Sequence, residues 1–142
     1  MPEEKRKSKK KRKILINLVA EKNMSVHKYT AGLHNVGSYQ VAGSPYLTAS
    51  AVTTAETIFY FPRVTKRIVI ENTDTTHDLN IYFLASSTTP LILPAGKTID
   101  MDIKCAHIYM KGISDTADMQ MYAEITNIPT GSMYSLVGIT GV

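Results

Sequence analysis

Apolar and polar side chains alternate strictly over much of the middle of the chain. Ala117, Met119, Met121, Ala123 and Ile125 fall on one face, and Asp118, Gln120, Tyr122 and Glu124 fall on the other. A period of two is what a strand shows when one face meets a core and the other meets water. Ile99, Met101 and Ile103 oppose Asp100, Asp102 and Lys104 in the same way, and Leu79, Ile81 and Phe83 oppose Asn80, Tyr82 and Leu84. Further strands are predicted at 38–42, 46–52, 56–61, 66–72, 90–93 and 105–111. The breaks between them carry turn chemistry: 72–78 is rich in Asn, Asp and Thr, Pro94-Ala95-Gly96 is a turn, and 112–116 is another. No window of helical length holds apolar residues at three-and-four spacing. Short strands at roughly ten-residue intervals, without helices between them, predict an all-β antiparallel β-sandwich.

The two ends of the chain break this pattern, which divides it into a segment 1–23, a lead-in 24–37, a sandwich 38–126 and a C-terminal arm 127–142. The arm reads NIPTGSMYSLVGITGV. Met133, Tyr134, Leu136, Val137 and Ile139 are poorly suited to a tail in water, so the arm is expected to dock on its own sandwich or on a neighbouring subunit.

Charge is distributed unevenly, and that changes how its sign is read. The whole chain carries a formal +4. Residues 1–13 hold eight Lys or Arg against Glu3 and Glu4, a local +6, so the remainder is −2. The basic run is Lys5, Arg6, Lys7, Lys9, Lys10, Lys11, Arg12 and Lys13. Dense like charge opposes collapse and suits a nucleic acid or another acidic surface. The apolar stretch after it is short, is interrupted by Asn17, and is followed by Glu21 and Lys22 where a signal peptide needs small residues. Met24 is a second plausible start. Residues 1–23 therefore read as a basic arm, an inert tail or an upstream extension.

Composition excludes several classes. No stretch approaches the ~20 consecutive apolar residues of a membrane-spanning helix, so no membrane partner is expected. A single cysteine, Cys105, cannot form an internal disulfide or supply a multi-thiolate zinc site. Cys105 and His107 are expected on one strand face, but without the orienting third group of a catalytic dyad. His27, His34, His77 and His107 are scattered, and Asp100 with Asp102 offers too few oxygens for calcium. Gly32, Gly37 and Gly43 do not form a phosphate cradle. No catalytic constellation, metal or cofactor is predicted. Tyr82, Tyr109 and Tyr122 are expected on outward or ambiguous faces, each on a different strand, and tyrosine is enriched at interfaces. They are read as subunit-interface residues together with the five apolar residues of the C-terminal arm, a sugar-stacking platform being the other reading.

From Val26 to the C-terminus the chain resembles small virion structural proteins of tailed bacteriophages, especially aquatic ones. The segments that carry the resemblance are HKYTAGLHNVGSYQVAGSPYLT (27–48), FPRVTKRIVIEN (61–72) and YAEITNIPTGSMYSLVGITGV (122–142). The resemblance implies a jelly-roll-like sandwich with extended arms, located on the capsid surface of a virion. It implies a decoration or cement protein that assembles as a homo-oligomer, a trimer being favoured, on the major capsid protein. A head-to-tail or tail position is compatible with the same residues, and a carbohydrate-binding or host-recognition module of the virion is the alternative.

Overall fold

The computed structural model of the protein describes residues 30–142. The basic run from Lys5 to Lys13 and the possible start at Met24 lie outside the described residues. After a one-turn helix α1 (Gly37–Gln40) come eight strands: β1 (Ser44–Val52), β2 (Thr57–Tyr60), β3 (Thr65–Asn72), β4 (Leu79–Tyr82), β5 (Leu91–Leu93), β6 (Thr98–Met101), β7 (His107–Gly112) and β8 (Ala117–Ile125). A single 3-10 turn follows at Thr130–Ser132.

The strands form two antiparallel four-stranded sheets, sheet I in the order β1-β8-β3-β6 and sheet II in the order β2-β7-β4-β5. The pairing has a simple origin. β4 and β5 form a hairpin, and each earlier strand pairs with its counterpart on the return path: β3 with β6, β2 with β7, β1 with β8. The doubled ribbon then winds so that β8 also meets β3 and β7 also meets β4.

Alternation decides what lies between the sheets. Ile68, Ile70, Met119, Met121 and Ala123 of sheet I face Leu79, Ile81, Leu93, Ile108 and Met110 of sheet II in one buried cluster. Each fully buried Ile or Leu contributes roughly 1.5–3 kcal/mol, and the unbranched Met110, Met119 and Met121 fill gaps that a branched side chain would leave. Ile128 is fully buried just beyond β8. Its carbonyl accepts the Val64 N–H at 3.0 Å, while Thr126 donates from both its N–H (2.9 Å) and its hydroxyl (2.7 Å) to the Val64 carbonyl. This lock fixes where the last fourteen residues leave the sandwich.

Two expectations need correction. Residues 38–42 are not a strand: α1 occupies most of that stretch. The Asn35 side chain accepts the Gly37 N–H at 3.0 Å, and the Val36 carbonyl accepts the N–H groups of Tyr39 and Gln40. A turn closed by such local bonds outweighs strand propensity where no neighbouring strand is present. The second correction concerns 105–111. The strand begins only at His107, so Cys105 turns into the core while His107 points outward. The two side chains do not share a face.

Candidate functional site

Sheet II carries an apolar and aromatic outer surface. β7 sends Ile108 and Met110 inward, which leaves His107, Tyr109 and Lys111 outward. Register places Tyr60 of β2 opposite His107, and Tyr109 between Ile58 of β2 and Tyr82 of β4. The His107 ring stands edge-on to Tyr109, with centroids 5.2 Å apart, and tilted to Tyr60 at 5.9 Å. Both geometries suit aromatic quadrupoles.

The loop after β4 folds back over this surface, its Ser86 N–H donating to a Glu56 carboxylate oxygen at 3.0 Å. Tyr82 retains only 8% exposure although it lies outside the central cluster. Its hydroxyl oxygen accepts from the Asn80 amide at 3.2 Å. Burial, with Tyr60 and Glu56 nearby, pushes the Tyr109 hydroxyl above its ordinary pKa.

Met133–Val137 cross the same region. With Phe83, Leu84, the chain around Cys105, His107 and Tyr109, they line a cavity of about 430 Å³. Tyr82, Tyr109, Met133, Tyr134, Leu136 and Val137 thus share one side of the molecule. Tyr122 does not join them: it lies on the outer face of sheet I, between Leu47 and Val69. Ile139 lies farther along the chain and is exposed. The contributions of Tyr60 and His107 were missed in the sequence. Their signal was the run Thr57-Ile58-Phe59-Tyr60, apolar on both faces of a strand, which implies that the outer face also needs cover.

Sheet I has a different outer surface, a charged groove of about 370 Å³ lined in part by Tyr39, Lys66, Arg67, Lys104 and Glu124. A bulge between Thr65 and Arg67 brings consecutive cations onto one carboxylate, with Lys66 and Arg67 at 3.4 and 3.6 Å from Glu124. Lys66 also donates to the carbonyls of Tyr39 and Val41, and Lys104 donates to that of Leu33 at 2.9 Å while sitting over the Tyr39 ring. Arg67 grips Asp100 through two parallel hydrogen bonds of 2.9 and 2.6 Å, holding that carboxyl below the usual range. Every cation in the groove is engaged, so the groove fastens residues 33–41 to the sheet.

The chemistry of the titratable groups is structural in the same sense. Cys105 is buried, and that burial pushes its thiol up to about 11. Asp100 is committed to Arg67, and Asp102 is exposed. Asn72, Asp74 and Asp78 brace turns: Asn72 donates to the carbonyls of His77 and Leu93, Asp74 accepts the N–H groups of Thr76 and His77, and Asp78 accepts that of Ala95. Among the described residues no group of three or more His, Cys, Asp or Glu is placed to hold a metal, and no helix is long and apolar enough to cross a membrane.

No protein-family model, curated protein or solved structure matches this chain.

Proposed function

We propose that this chain is a non-enzymatic structural protein of a tailed-phage particle, a decoration or cement protein that stabilises the capsid through contacts made by several copies. The observation that carries this reading is the apolar surface outside the core. Tyr60 is 68% exposed and Val137 is 77% exposed, and Ile58 and Tyr134 are exposed with them. Apolar side chains gathered on one side of a small domain mark a surface that is covered in the working assembly.

The winding supports the same reading. Strand orders 1-8-3-6 and 2-7-4-5, with counterpart strands paired along a doubled ribbon, support a jelly-roll reading, an architecture common among viral capsid domains. On this reading the segment beyond Ile128 is a terminal arm. It lies over sheet II but leaves half its apolar side chains in water, as an arm does when a neighbour completes its burial. Cryo-electron microscopy of the particle is the test, with copies expected on the capsid surface or its vertices. A particle without them removes the proposal.

A second reading has its own support. Jelly rolls also host lectins, and the cavity under Met133–Val137 presents Tyr109, His107 and Tyr134, aromatic faces with polar edges that suit a sugar ring. Binding on a glycan array that is lost on Tyr109→Ala would favour this host-recognition role, and a blank array would remove it.

A further inference from the structure

A sandwich made of open sheets has four edges, and this one guards three of them. β5 is three residues long and lies between Pro90 and Pro94. β2 is four residues long, with Glu56 before it and Pro62 soon after. β6 is also four residues long, carries Asp100, and is flanked by Lys97 and Asp102. Shortness, proline and charge are the devices by which edge strands avoid pairing with other chains.

β1 is neither short nor charged. It runs for nine residues, SPYLTASAV, with no charged side chain and a proline only at its second position. Among the described residues it pairs on one side only, with β8. Pro45 cannot donate to a ladder, so its nitrogen faces away from β8. By alternation Leu47, Ala49 and Ala51 then direct their N–H and C=O groups outward as well. Leu47 is 70% exposed, and Ala49 and Ala51 are exposed beside it.

We infer that β1 is a self-pairing edge, which joins a second copy of this chain antiparallel across a two-fold axis at Ala49 and makes one continuous sheet of two sheets I. The sequence of the strand fits itself in that register. Leu47 lies opposite Ala51 of the second copy, large against small, and Ala49 lies opposite its own mate. On the other face Thr48 meets Ser50, a hydroxyl pair that favours cross-strand hydrogen bonding, and Tyr46 meets Val52. A charge anywhere on β1 would disturb this pairing, and there is none. Like-charge repulsion across the axis is absent, and the outward backbone groups gain partners.

The inference rests on the self-assembly in the proposed function but not on the particle, so the purified full-length chain tests it separately. Light scattering at about 100 µM, a concentration that populates any dimer of micromolar Kd, is expected to give an even number of copies. Ala49→Cys is expected to form a disulfide-linked dimer under mild oxidation, because directly opposed residues in an antiparallel pair have Cα atoms about 5.5 Å apart, within disulfide reach. Ala51→Cys, whose opposite number is Leu47, is expected to cross-link far less. Ala49→Lys places two ammonium groups at the axis and is expected to halve the mass while leaving the far-ultraviolet circular dichroism unchanged. A monomer, an odd copy number, or equal cross-linking by Ala49→Cys and Ala51→Cys overturns the inference. So does cross-linking of Ala49→Cys that appears only after removal of residues 1–23, which would make the chain's own N-terminal segment the cover of this edge.

Discussion

Thr65 and Cys105 hold each other through hydrogen bonds in both directions: the Cys105 N–H donates to the Thr65 hydroxyl at 3.0 Å, and the Thr65 N–H donates to the Cys105 carbonyl at 3.0 Å. The same hydroxyl donates onward to the Ile103 carbonyl at 2.8 Å. Thr65→Val preserves shape but leaves a buried N–H and a carbonyl without partners. The expected cost is about 1–3 kcal/mol, read as a lower urea midpoint with an unchanged m-value. Thr65→Ser keeps the hydroxyl and is expected to cost less.

Cys105 itself provides a probe of packing. With its thiol pushed up to about 11 by burial, few molecules carry the thiolate at pH 8. Labelling by a thiol reagent is expected to be roughly 100-fold slower in the folded chain than in urea, where an ordinary thiol pKa near 8.5 returns. Equal rates would show that Cys105 is not enclosed.

Asp74 makes stability depend on pH in a defined direction. Its carboxylate accepts the Thr76 and His77 N–H groups at 2.7 and 3.0 Å, which holds its pKa well below the ordinary value. As pH falls, the unfolded chain takes up this proton first, so stability present above about pH 4 is lost progressively below it. Urea midpoints of the native chain are expected to fall more steeply between pH 5 and about 2.5 than those of Asp74→Asn. Identical slopes would remove Asp74 from the account.

Gly112 marks the tightest turn. A Cβ there would overlap the Asp115 carbonyl and press on the Val52 carbonyl oxygen at 3.1 Å. Neither neighbour is a flexible side-chain end, so backbone must shift. Gly112→Ala is expected to cost about 1–3 kcal/mol. Gly32→Ala, which meets nothing within 4 Å, is expected to stay within about 0.5 kcal/mol of the native chain. Thermal or urea unfolding of the pair distinguishes a steric effect from a general intolerance of alanine.

How much was legible depended on the range of the interaction involved. β8 matches its predicted bounds because one face of it is core along its whole length and the other is not, which is the condition alternation reports. β4 and β6 run shorter than the alternating pattern through Leu84 and Lys104, since pairing partners end before the pattern does. Residues 38–42 alternate by chance and coil locally. The tyrosines show the same limit. Each was placed on an outward or ambiguous face of its own strand, but whether Tyr82 meets Tyr109 or Tyr122 is set by which strands are neighbours. Lys66 and Lys104 gave no signal, because the backbone carbonyls they bind have no residue-specific signature.

By itself, the order of side chains along this chain determined the all-β class, the inward set of residues and the segments left apolar beyond them, because these follow from periodicity and turn chemistry within a few residues. Only the tertiary structure decided the strand order, the gathering of His107 and Tyr109 beside Met133–Val137 with Tyr60 next to His107, and the uncharged edge at β1. Those depend on pairings such as Val52 with Ala117, between residues far apart in the chain, which cooperative burial of both sheets selects and no local window contains.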